Sequence, residues 1–471
     1  MNTKIEEQHL GYFAADPKNA EPDITENDEE ERTKFHRDRD RIIYSRAFRR
    51  LKGKTQVFLA GYDDHVRNRL THTLEVSQLA TSIAVSLNLN LMLTEAIALG
   101  HDLGHTPFGH VGERTLDNIM NMETIDYENR GFKHNWQSIR VVEFLEIAYR
   151  KYPGLNLTDY TRWGILNHSS RKFKHRETEP PFYNSHHKLF SSKSSTLWSF
   201  EGCVVELADE IAQRHHDFED GVIADLIDHK ELLKLFKCTF NDFIDLNKEP
   251  YKKCAELLDN EKHRRYIVPL LTKYIIHFYV EKYTELMKKN ILRLREIFYI
   301  EGSKDFSIKK DEIAAHVFGK EQQLFYNDLD FNDFRKKDEK FQVFLKDRVL
   351  NSYQVQQMDG RSEYIINKLF EAYLKNPQQL ADSAIISFFA EYKRESISIQ
   401  LNEETERAII IGDMRNKLNE INERNKNNKS KDIKFEQCLK RTITDQIAGM
   451  TDEYATYQYE VIYGAREMKN W

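Results

Sequence analysis

The most informative side chains of this sequence are histidines and aspartates that recur in a short part of the chain. His101 and Asp102 are adjacent at the end of the apolar segment TEAIALGHDL, and His72 lies in the preceding helix-like segment. Asp209 lies in VELADEIA, another mostly apolar segment. A carboxylate beside an imidazole is costly to bury unless a cation or a full set of hydrogen bonds compensates it. We therefore expect these four side chains to bind a divalent metal ion.

The alternative for any single histidine is an ordinary buried residue, which is the commoner case. Here, however, two imidazoles and two carboxylates come from three helices that are expected to face the core. Such a mixed nitrogen and oxygen set suits Mn, Mg, Fe, Co or Zn with open positions for water, rather than a closed structural zinc site. The sequence therefore predicts an open metal site.

Several strings of residues resemble those of a known family. RLTHTLEV, HDLGHTPFGHVGE and ADEIA occur in the order His, His-Asp, Asp that defines the HD-domain metal phosphohydrolases. GHTPFGHVGE, RDRIIYSRAFRRLKGKTQV before it and AGMTDEYA near the C-terminus are more specific. They resemble the deoxynucleoside triphosphate triphosphohydrolases, usually called dGTPases or dGTPase-like proteins. The resemblance covers residues 35–220 and 443–456, and it is weak over 225–438.

The resemblance implies a reaction and a set of metal ligands. The reaction is the metal-dependent hydrolysis of a dNTP, dGTP above all, to a deoxynucleoside and intact inorganic triphosphate. The ligands carried over by motif are His72, His101, Asp102 and Asp209.

The resemblance also assigns four catalytic residues: His110, Glu113, His105 and His134. The first two match an acid/base pair beside the scissile bond, and the last two match histidines on the phosphate side. An alkoxide leaves phosphorus poorly unless it is protonated, and an imidazole that titrates near neutral pH suits this task. Because Glu113 follows His110 by three residues, we expect its carboxylate to fix the tautomer of that imidazole and raise its pKa.

Four residues are predicted to contact the substrate: Gln56, Arg69, Asp217 and Tyr454. Arg69 matches a phosphate-facing arginine of the family, and a surface salt bridge is the alternative. Gln56 matches a glutamine near the sugar or base, and an ordinary turn residue is the alternative. Asp217 continues the acidic pattern after ADEIA. Tyr454 is either a pocket wall or a packed helix aromatic.

One position departs from the family pattern. After ADEIA the family often has a tyrosine on the next turn that contacts the deoxyribose, whereas this chain has Gln213, followed by Arg214, His215 and His216. Discrimination between deoxyribose and ribose is therefore open for this chain.

The elements that must position these residues are helices. Apolar residues recur at helical spacing in several segments: 32–54, 70–87, 94–103, 134–151 and 197–217. We expect Thr94 to cap the third of these and the stripe of Leu70 and Leu74 to face the core. The first segment carries ten Lys or Arg residues. It is interpreted as a basic amphipathic helix that is either a solvated face or a surface for phosphate groups.

The remaining sequence predicts further helices over 222–420, polar loops at 180–195 and 421–432, and short hairpins within 296–360. The predicted fold is therefore all-α, with one helical body of the HD-domain type, a helical C-terminal extension and few short strands. The predicted division is a polar and acidic segment (1–34), a metal phosphohydrolase core (35–220) and a helical C-terminal region (221–471). The end of that region, 443–456, is expected to pack back on the core.

Composition agrees with this prediction. The 471 residues include only 18 Gly and 9 Pro, which is roughly half of the ordinary usage of about 7% and about 5%. This scarcity of turn-forming residues disfavours turn-dense all-β folds. A net charge of −6 argues against a protein that coats nucleic acid. We expect a cytoplasmic protein, because no signal peptide or transmembrane stretch is seen and the four cysteines form no CxxC pair.

Two other functions keep part of the pattern. An HD phosphohydrolase of another nucleotide class would share the metal site without needing GHTPFGHVGE. A nucleic-acid-binding HD protein would use residues 32–54. The resemblance further implies homo-oligomers, commonly hexamers or tetramers, with single-stranded DNA binding in some relatives and activation by a second dNTP in others.

Overall fold

The chain is helical through most of the residues that the computed structural model describes. These are residues 11–26, 32–56, 67–123, 131–149, 152–168, 197–243, 252, 267–318, 329–393, 404–427 and 432–464. They contain seventeen α-helices and no β-sheet, which confirms the all-α prediction. The expected short strands are reduced to three isolated bridges. The predicted hairpins are wrong for the described part of 296–360, which is helical.

The helices are numbered here in chain order. Those of the first half are α1 Lys34–Tyr44, α2 Arg46–Arg50, α3 Arg69–Ser86, α4 Leu91–Gly100, α5 Gly109–Glu123, α6 His134–Arg140, α7 Asp159–Asn167 and α8 Phe200–Ile223. Those of the second half are α9 His229–Phe240, α10 Ile267–Ile297, α11 Ser303–Phe318, α12 Leu329–Leu345, α13 Tyr353–Lys375, α14 Asp382–Lys393, α15 Glu404–Asn427, α16 Ile433–Ala448 and α17 Asp452–Ile462.

Short polar residues begin the three helices that carry the predicted metal ligands. Asn68, Asn90 and Ser199 cap α3, α4 and α8, and each side-chain oxygen accepts a hydrogen bond from the backbone N–H three residues on. The prediction that Thr94 caps its helix is wrong. Thr94 lies inside α4, where its hydroxyl donates to the Asn90 carbonyl at 2.8 Å.

Other boundaries also differ from the sequence pattern. Residues 32–54 do not form one helix, because Ser45 is extended (φ −68°, ψ 154°) and caps α2 through the N–H of Phe48. α6 ends in a π-helical turn at 141–145. The loop predicted over 421–432 is wrong in its first part, since α15 continues to Asn427. The predicted loop at 180–195 lies outside the described residues.

Two hydrophobic cores stabilise the described helices. In the first, α3, α4 and α8 pack against one another, and α1, α7 and α10 pack around them. Small buried residues such as Ala80, Ala96 and Ala208 let these backbones approach closely. The second core joins α5 to the C-terminal helices α13, α14, α16 and α17.

The predicted apolar face of α3 is wrong at one position. Leu74 is 51% exposed, whereas Leu70 packs against the first core. The buried stripe runs through Val76, Leu79 and Ile83. His72 precedes Val76 by four residues and therefore lies on this face.

Within the described part of the chain, no helix combines the length and the apolar character needed to cross a bilayer. Among the described residues, Cys203, Cys238 and Cys438 are free thiols.

Candidate metal centre and active site

Four side chains from the packed helices of the first core converge on one point. His72 lies in the first turn of α3, Asp209 lies on α8, and His101 and Asp102 follow the last turn of α4. Nε2 of His72 is 2.9 Å from Oδ1 of Asp209. Nε2 of His101 is 3.8 Å from the same oxygen and 3.4 Å from Oδ1 of Asp102. The four residues predicted as metal ligands therefore lie together.

The hydrogen bonds of His101 leave one of its ring nitrogens available. Its Nδ1 lies 2.6 Å from the carbonyl oxygen of Ala98 and must carry the hydrogen, because a carbonyl only accepts. Its Nε2 is buried and has no well-formed hydrogen bond among the described residues. A buried nitrogen that faces two carboxylates fits a divalent cation, so the side chains present suit the implied metal.

Charge at this cluster also favours a cation. Burial lowers the pKa of His101, but Asp102 and Asp209 outweigh burial and raise it to about 9. Burial alone would raise the pKa of Asp102, yet the neighbouring imidazoles and Arg69 hold it well below its ordinary range. The imidazoles of His72 and His101 lower the pKa of Asp209 in the same way. Both carboxylates are therefore ionised, and the cluster attracts positive charge.

Arg69 is a buried cation next to the cluster. It is 2% exposed, and its Nη1 donates to Oδ2 of Asp102 at 2.8 Å. Its Nε and Nη2 are buried and have no hydrogen-bond partner among the described residues. The alternative of a surface salt bridge is therefore wrong. A guanidinium with two unused donors is suited to bind an anion.

The remaining predicted catalytic residues form a second group beside the first. Nε2 of His105 is 3.1 Å from Oδ1 of Asp102, which links the two groups. The rings of His105 and His134 stack with centroids 3.9 Å apart. Oε2 of Glu113 is 3.0 Å from Nδ1 of His134 but 3.9 Å from Nδ1 of His110. The carboxylate thus bonds to His134, whereas the sequence argument assigns it to His110.

The loop between α4 and α5 is held by close backbone contacts. A Cβ on Gly104 would lie 2.1 Å from the backbone N of Ser138 and 2.3 Å from the carbonyl oxygen of His134, so only glycine fits. Gly109 has φ +59° and Phe108 has φ +62°, so both lie in the left-handed region that residues other than glycine rarely adopt. This tight path brings His105 and His110 to the same side of the loop, with ring centroids 5.9 Å apart.

The C-terminal helices hold this loop in place. The carboxylate of Asp452 accepts hydrogen bonds from the N–H of Phe108 at 2.8 Å and from the N–H of Thr55 at 2.8 Å. The hydroxyl of Thr55 also donates to it. The buried ammonium of Lys54 donates to the carbonyl oxygens of His105 and Ala448. The end of the chain is therefore bonded directly to the loop that carries the histidines.

Three of the four predicted substrate contacts are less clearly placed. Gln56 is buried beside Gly109, and its Oε1 has no partner among the described residues. Tyr454 is 43% exposed and is therefore not a packed core aromatic. Asp217 lies on α8, where burial and Asp220 raise its pKa to about 7 against the effect of Arg214. No described contact joins Asp217 to the four proposed metal ligands, and its role as a substrate contact stays a prediction.

His168 belongs to the site but was not predicted from the sequence. Its Nε2 is 3.4 Å from Nε2 of His134, and its ring lies edge-on to that of His101 with centroids 5.0 Å apart. Burial lowers its pKa to about 3. A lone histidine after the apolar run of α7 gives no signal in the sequence that distinguishes it from a core residue.

A further group, also not predicted, lies behind His72. Nε2 of His215 is 3.2 Å from Oε2 of Glu75, and Nε2 of His216 contacts the same oxygen. Nδ1 of His216 is 3.3 Å from Nδ1 of His72. Burial raises the pKa of Glu75, but hydrogen bonds from the two imidazoles reverse this and lower it below its ordinary range. The sequence signal is the pair His215-His216 one turn after ADEIA.

Four arginines of the basic segment 32–54 are paired with neighbouring carboxylates. Arg32 pairs with Asp40 at 2.9 Å, and Arg39 pairs with both Asp40 and Glu95. Other arginines of the segment pair in the same way: Arg41 with Glu26 and Arg50 with Glu146. These pairs favour the interpretation as a folded, solvated surface over a surface that binds phosphate groups.

Comparison with known proteins agrees with this geometry. The HD domain family matches residues 69–213, the part of the chain that contains all four predicted metal ligands. A phosphohydrolase-associated domain matches residues 332–410 and 398–461, which contain the C-terminal helices of the second core.

Curated proteins similar to this chain are called deoxyguanosinetriphosphate triphosphohydrolase-like proteins. One from Leptospira interrogans is 32% identical over 432 residues, covering 91% of this chain and 89% of the relative. One from Bordetella pertussis is 31% identical and covers 96% of each chain. One from Roseobacter denitrificans is 45% identical over 224 residues, covering 47% of this chain and 56% of the relative.

Proposed function

Because this chain belongs to the deoxyguanosinetriphosphate triphosphohydrolase-like family of HD-domain proteins, we propose that it hydrolyses a deoxynucleoside triphosphate, with dGTP the preferred substrate. The products are the deoxynucleoside and inorganic triphosphate. The observation that carries the proposal is the convergence of His72, His101, Asp102 and Asp209, beside a buried arginine with unused donors.

The proposed metal ligands are these two imidazoles and two carboxylates. A divalent ion held by them would neutralise phosphate oxygens and lower the pKa of a nearby water. Mn and Mg are the first choices, with Fe or Co as alternatives, because the donor set mixes nitrogen and oxygen. His101 presents Nε2 to the ion because its Nδ1 hydrogen is committed to the Ala98 carbonyl.

Arg69 is proposed to bind and orient the phosphates. Its Nη1 is held by Asp102, which leaves Nε and Nη2 to donate to phosphate oxygens. A triphosphate carries about four negative charges, so a fixed guanidinium next to the metal site stabilises its binding. His105 and His134 extend this polar surface, and Gln56 and Tyr454 are proposed to contact the sugar or base.

His110 is proposed as the general acid. Its side chain is 51% exposed, so an incoming substrate can reach it. In the reaction, the oxygen of a water bonds to the α-phosphorus and the water releases a proton to solvent, while the bond from this phosphorus to the 5′ oxygen breaks. The imidazolium of His110 donates its proton to that oxygen and regains one from solvent. Glu113 is proposed to position His134 through their hydrogen bond. Its carboxylate also lies 3.9 Å from Nδ1 of His110.

We also propose the division of the chain into a segment 1–34, a metal phosphohydrolase core 35–220 and a C-terminal region 221–471. The bonds of Asp452 to Thr55 and Phe108 support the idea that residues 443–456 complete the site. A homo-oligomer of hexamer or tetramer type and binding of single-stranded DNA or an allosteric dNTP stay predictions from the resemblance, and a cytoplasmic location stays a prediction from the sequence.

The test is chromatography of the products formed from each dNTP and NTP, with Mn²⁺ and Mg²⁺ in turn. Triphosphate and deoxynucleoside from dGTP support the proposal, and loss of both in Asp209→Asn ties them to the metal site. Orthophosphate or pyrophosphate as the product would instead indicate an HD phosphohydrolase of another nucleotide class. Products from NTPs would show that Gln213 does not exclude a ribose.

A further inference from the structure

A chain of hydrogen bonds leads from the proposed metal ligand His72 to a partly exposed carboxylate on the same helix. Nδ1 of His72 faces Nδ1 of His216 at 3.3 Å. Nε2 of His216 contacts Oε2 of Glu75. Both imidazoles are buried, with relative exposures of 1% and 0%. Glu75 follows His72 by three residues on α3, and His216 lies on α8. The packing of these two helices therefore holds the three side chains of the hydrogen-bond chain together.

The direction of each hydrogen bond follows from the carboxylate end. An ionised carboxylate only accepts, so Nε2 of His216 must carry a hydrogen. In neutral His216 the other nitrogen, Nδ1, then has a free lone pair and accepts. The hydrogen between the two rings therefore belongs to Nδ1 of His72. As a result, Nε2 of His72 has its lone pair directed toward Asp209 and the metal cluster.

We propose that Glu75 and His216 are positioning residues that fix His72 in the tautomer that binds the metal. This rests on the metal site proposed above. Histidine ligands of metals usually donate their second ring nitrogen to a carboxylate or carbonyl, which orients the ring and makes it a stronger ligand. Here a second imidazole is inserted between the ligand and the carboxylate.

An alternative use of the same side chains is a second metal site formed by Glu75, His215 and His216. A metal on Nε2 of neutral His216 would place the ring hydrogen on its Nδ1. With the first metal on His72, that residue would also carry a hydrogen on Nδ1. Two donors would then face each other at 3.3 Å. Arg67, whose Nε lies 3.3 Å from Oε1 of Glu75, adds a further positive charge. The geometry therefore favours the hydrogen-bond chain.

The experiment measures binding of Mn²⁺ to the purified full-length protein by electron paramagnetic resonance. Glu75→Gln removes the charge of the acceptor and is expected to weaken Mn²⁺ binding by about 10-fold, within the 10- to 100-fold range typical of residues that support metal ligands. Glu219→Gln is the matched control. Glu219 bonds to Arg67, as Glu75 does, but it has no described contact with either imidazole. We expect Glu219→Gln to bind Mn²⁺ as the wild type does.

A second variant decides the question if Glu75→Gln does not fold. His216→Phe keeps the shape of the ring but removes the acceptor for His72, and it is expected to weaken Mn²⁺ binding by about 10- to 100-fold. Unchanged melting of the metal-free variants shows that a loss of affinity does not come from unfolding. Affinity within twofold of Glu219→Gln in both variants would overturn the proposal.

The number of bound Mn²⁺ ions and the variant Asp209→Asn distinguish a failure of the proposed metal site from a failure of the hydrogen-bond chain. One Mn²⁺ per chain is expected, and a second Mn²⁺ that is lost in His215→Asn would overturn the hydrogen-bond chain. If Asp209→Asn binds Mn²⁺ as tightly as the wild type, the metal site itself fails. If Asp209→Asn loses binding and Glu75→Gln does not, only the role of Glu75 and His216 fails.

Discussion

Glu113 accepts a hydrogen bond from Nδ1 of His134 at 3.0 Å, and a second bond runs from the backbone N–H of His134 to the other carboxylate oxygen at 3.3 Å. The carboxylate is thus fixed to the start of α6 by two contacts. His110, which lies one turn before it on α5, stays more than half exposed. Glu113 and His134 therefore form a fixed pair, whereas the imidazole of His110 is accessible to solvent.

The first prediction concerns these histidines. His110→Ala should lower turnover of dGTP by on the order of 100-fold, because the leaving 5′ oxygen loses its proton donor. Mn²⁺ binding should be unchanged, since His110 does not contact the four residues of the metal cluster. Steady-state kinetics and an Mn²⁺ titration of the same preparation measure both effects. Normal turnover in this variant would remove His110 from the mechanism.

The second prediction concerns the bonds between the chain end and the loop. Asp452→Ala leaves the N–H groups of Thr55 and Phe108 without an acceptor, at a cost of about 1–3 kcal/mol for each buried donor. We expect a lower free energy of unfolding in urea. We also expect reduced turnover, because these bonds hold Phe108 at positive φ in the loop that carries His105 and His110. The neighbouring exposed residue provides the control: Glu453→Ala should change neither quantity.

The third prediction uses two glycines. Gly104→Ala would place a methyl group about 2 Å from backbone atoms of α6 and should abolish turnover or folding, because backbone cannot move aside as a flexible side chain can. Gly360 lies inside α13 with open space around it. Gly360→Ala should raise the free energy of unfolding by about 0.5–1 kcal/mol. Thermal melting of both variants, compared with wild type, checks the pair.

The fourth prediction concerns pH and a buried lysine on α11. Burial lowers the pKa of Lys310 to about 7, although Glu201 and other acids act against this. An unfolded lysine titrates at about 10.4. Between these values the unfolded chain binds the proton and the folded chain does not, so this residue makes stability rise with pH.

The measurement is urea unfolding of wild type and Lys310→Met at pH 7 and pH 10. The wild type should gain on the order of 3 kcal/mol relative to the variant across this range, since the pKa difference is more than three units. The ammonium donates to the hydroxyl of Tyr160 at 2.9 Å, and the variant loses this bond at both pH values. A constant difference between the two proteins would contradict the lowered pKa.

Much of the candidate metal site could be predicted from the sequence, because its proposed ligands lie in short motifs on amphipathic helices. A motif with fixed spacing on a helix determines which side chains share a face, and packing of three apolar helices brings those faces together. The positions of His72, His101, Asp102 and Asp209 follow from this local order. So does the all-α fold, since glycine and proline are scarce.

Helix ends were harder to predict. Thr94 has the composition of a cap, but Asn90 four residues earlier performs that role, because either short polar side chain can accept the N–H bonds. Leu74 fits an apolar stripe by spacing, yet α3 turns a neighbouring face toward α8. Local pattern gives the period of a helix, and packing alone selects the face that is buried.

By itself, the sequence determined the helical class, the family and the residues of the proposed metal site, because these depend on composition and on order along short segments. Only the tertiary structure decided that Glu113 bonds to His134, that His168 joins the site, that Asp452 holds the loop at Phe108, and that Glu75 reaches His72 through His216. Each of these contacts joins parts of the chain that are distant in sequence. Their partners are chosen by the packing of whole helices, which no local pattern encodes.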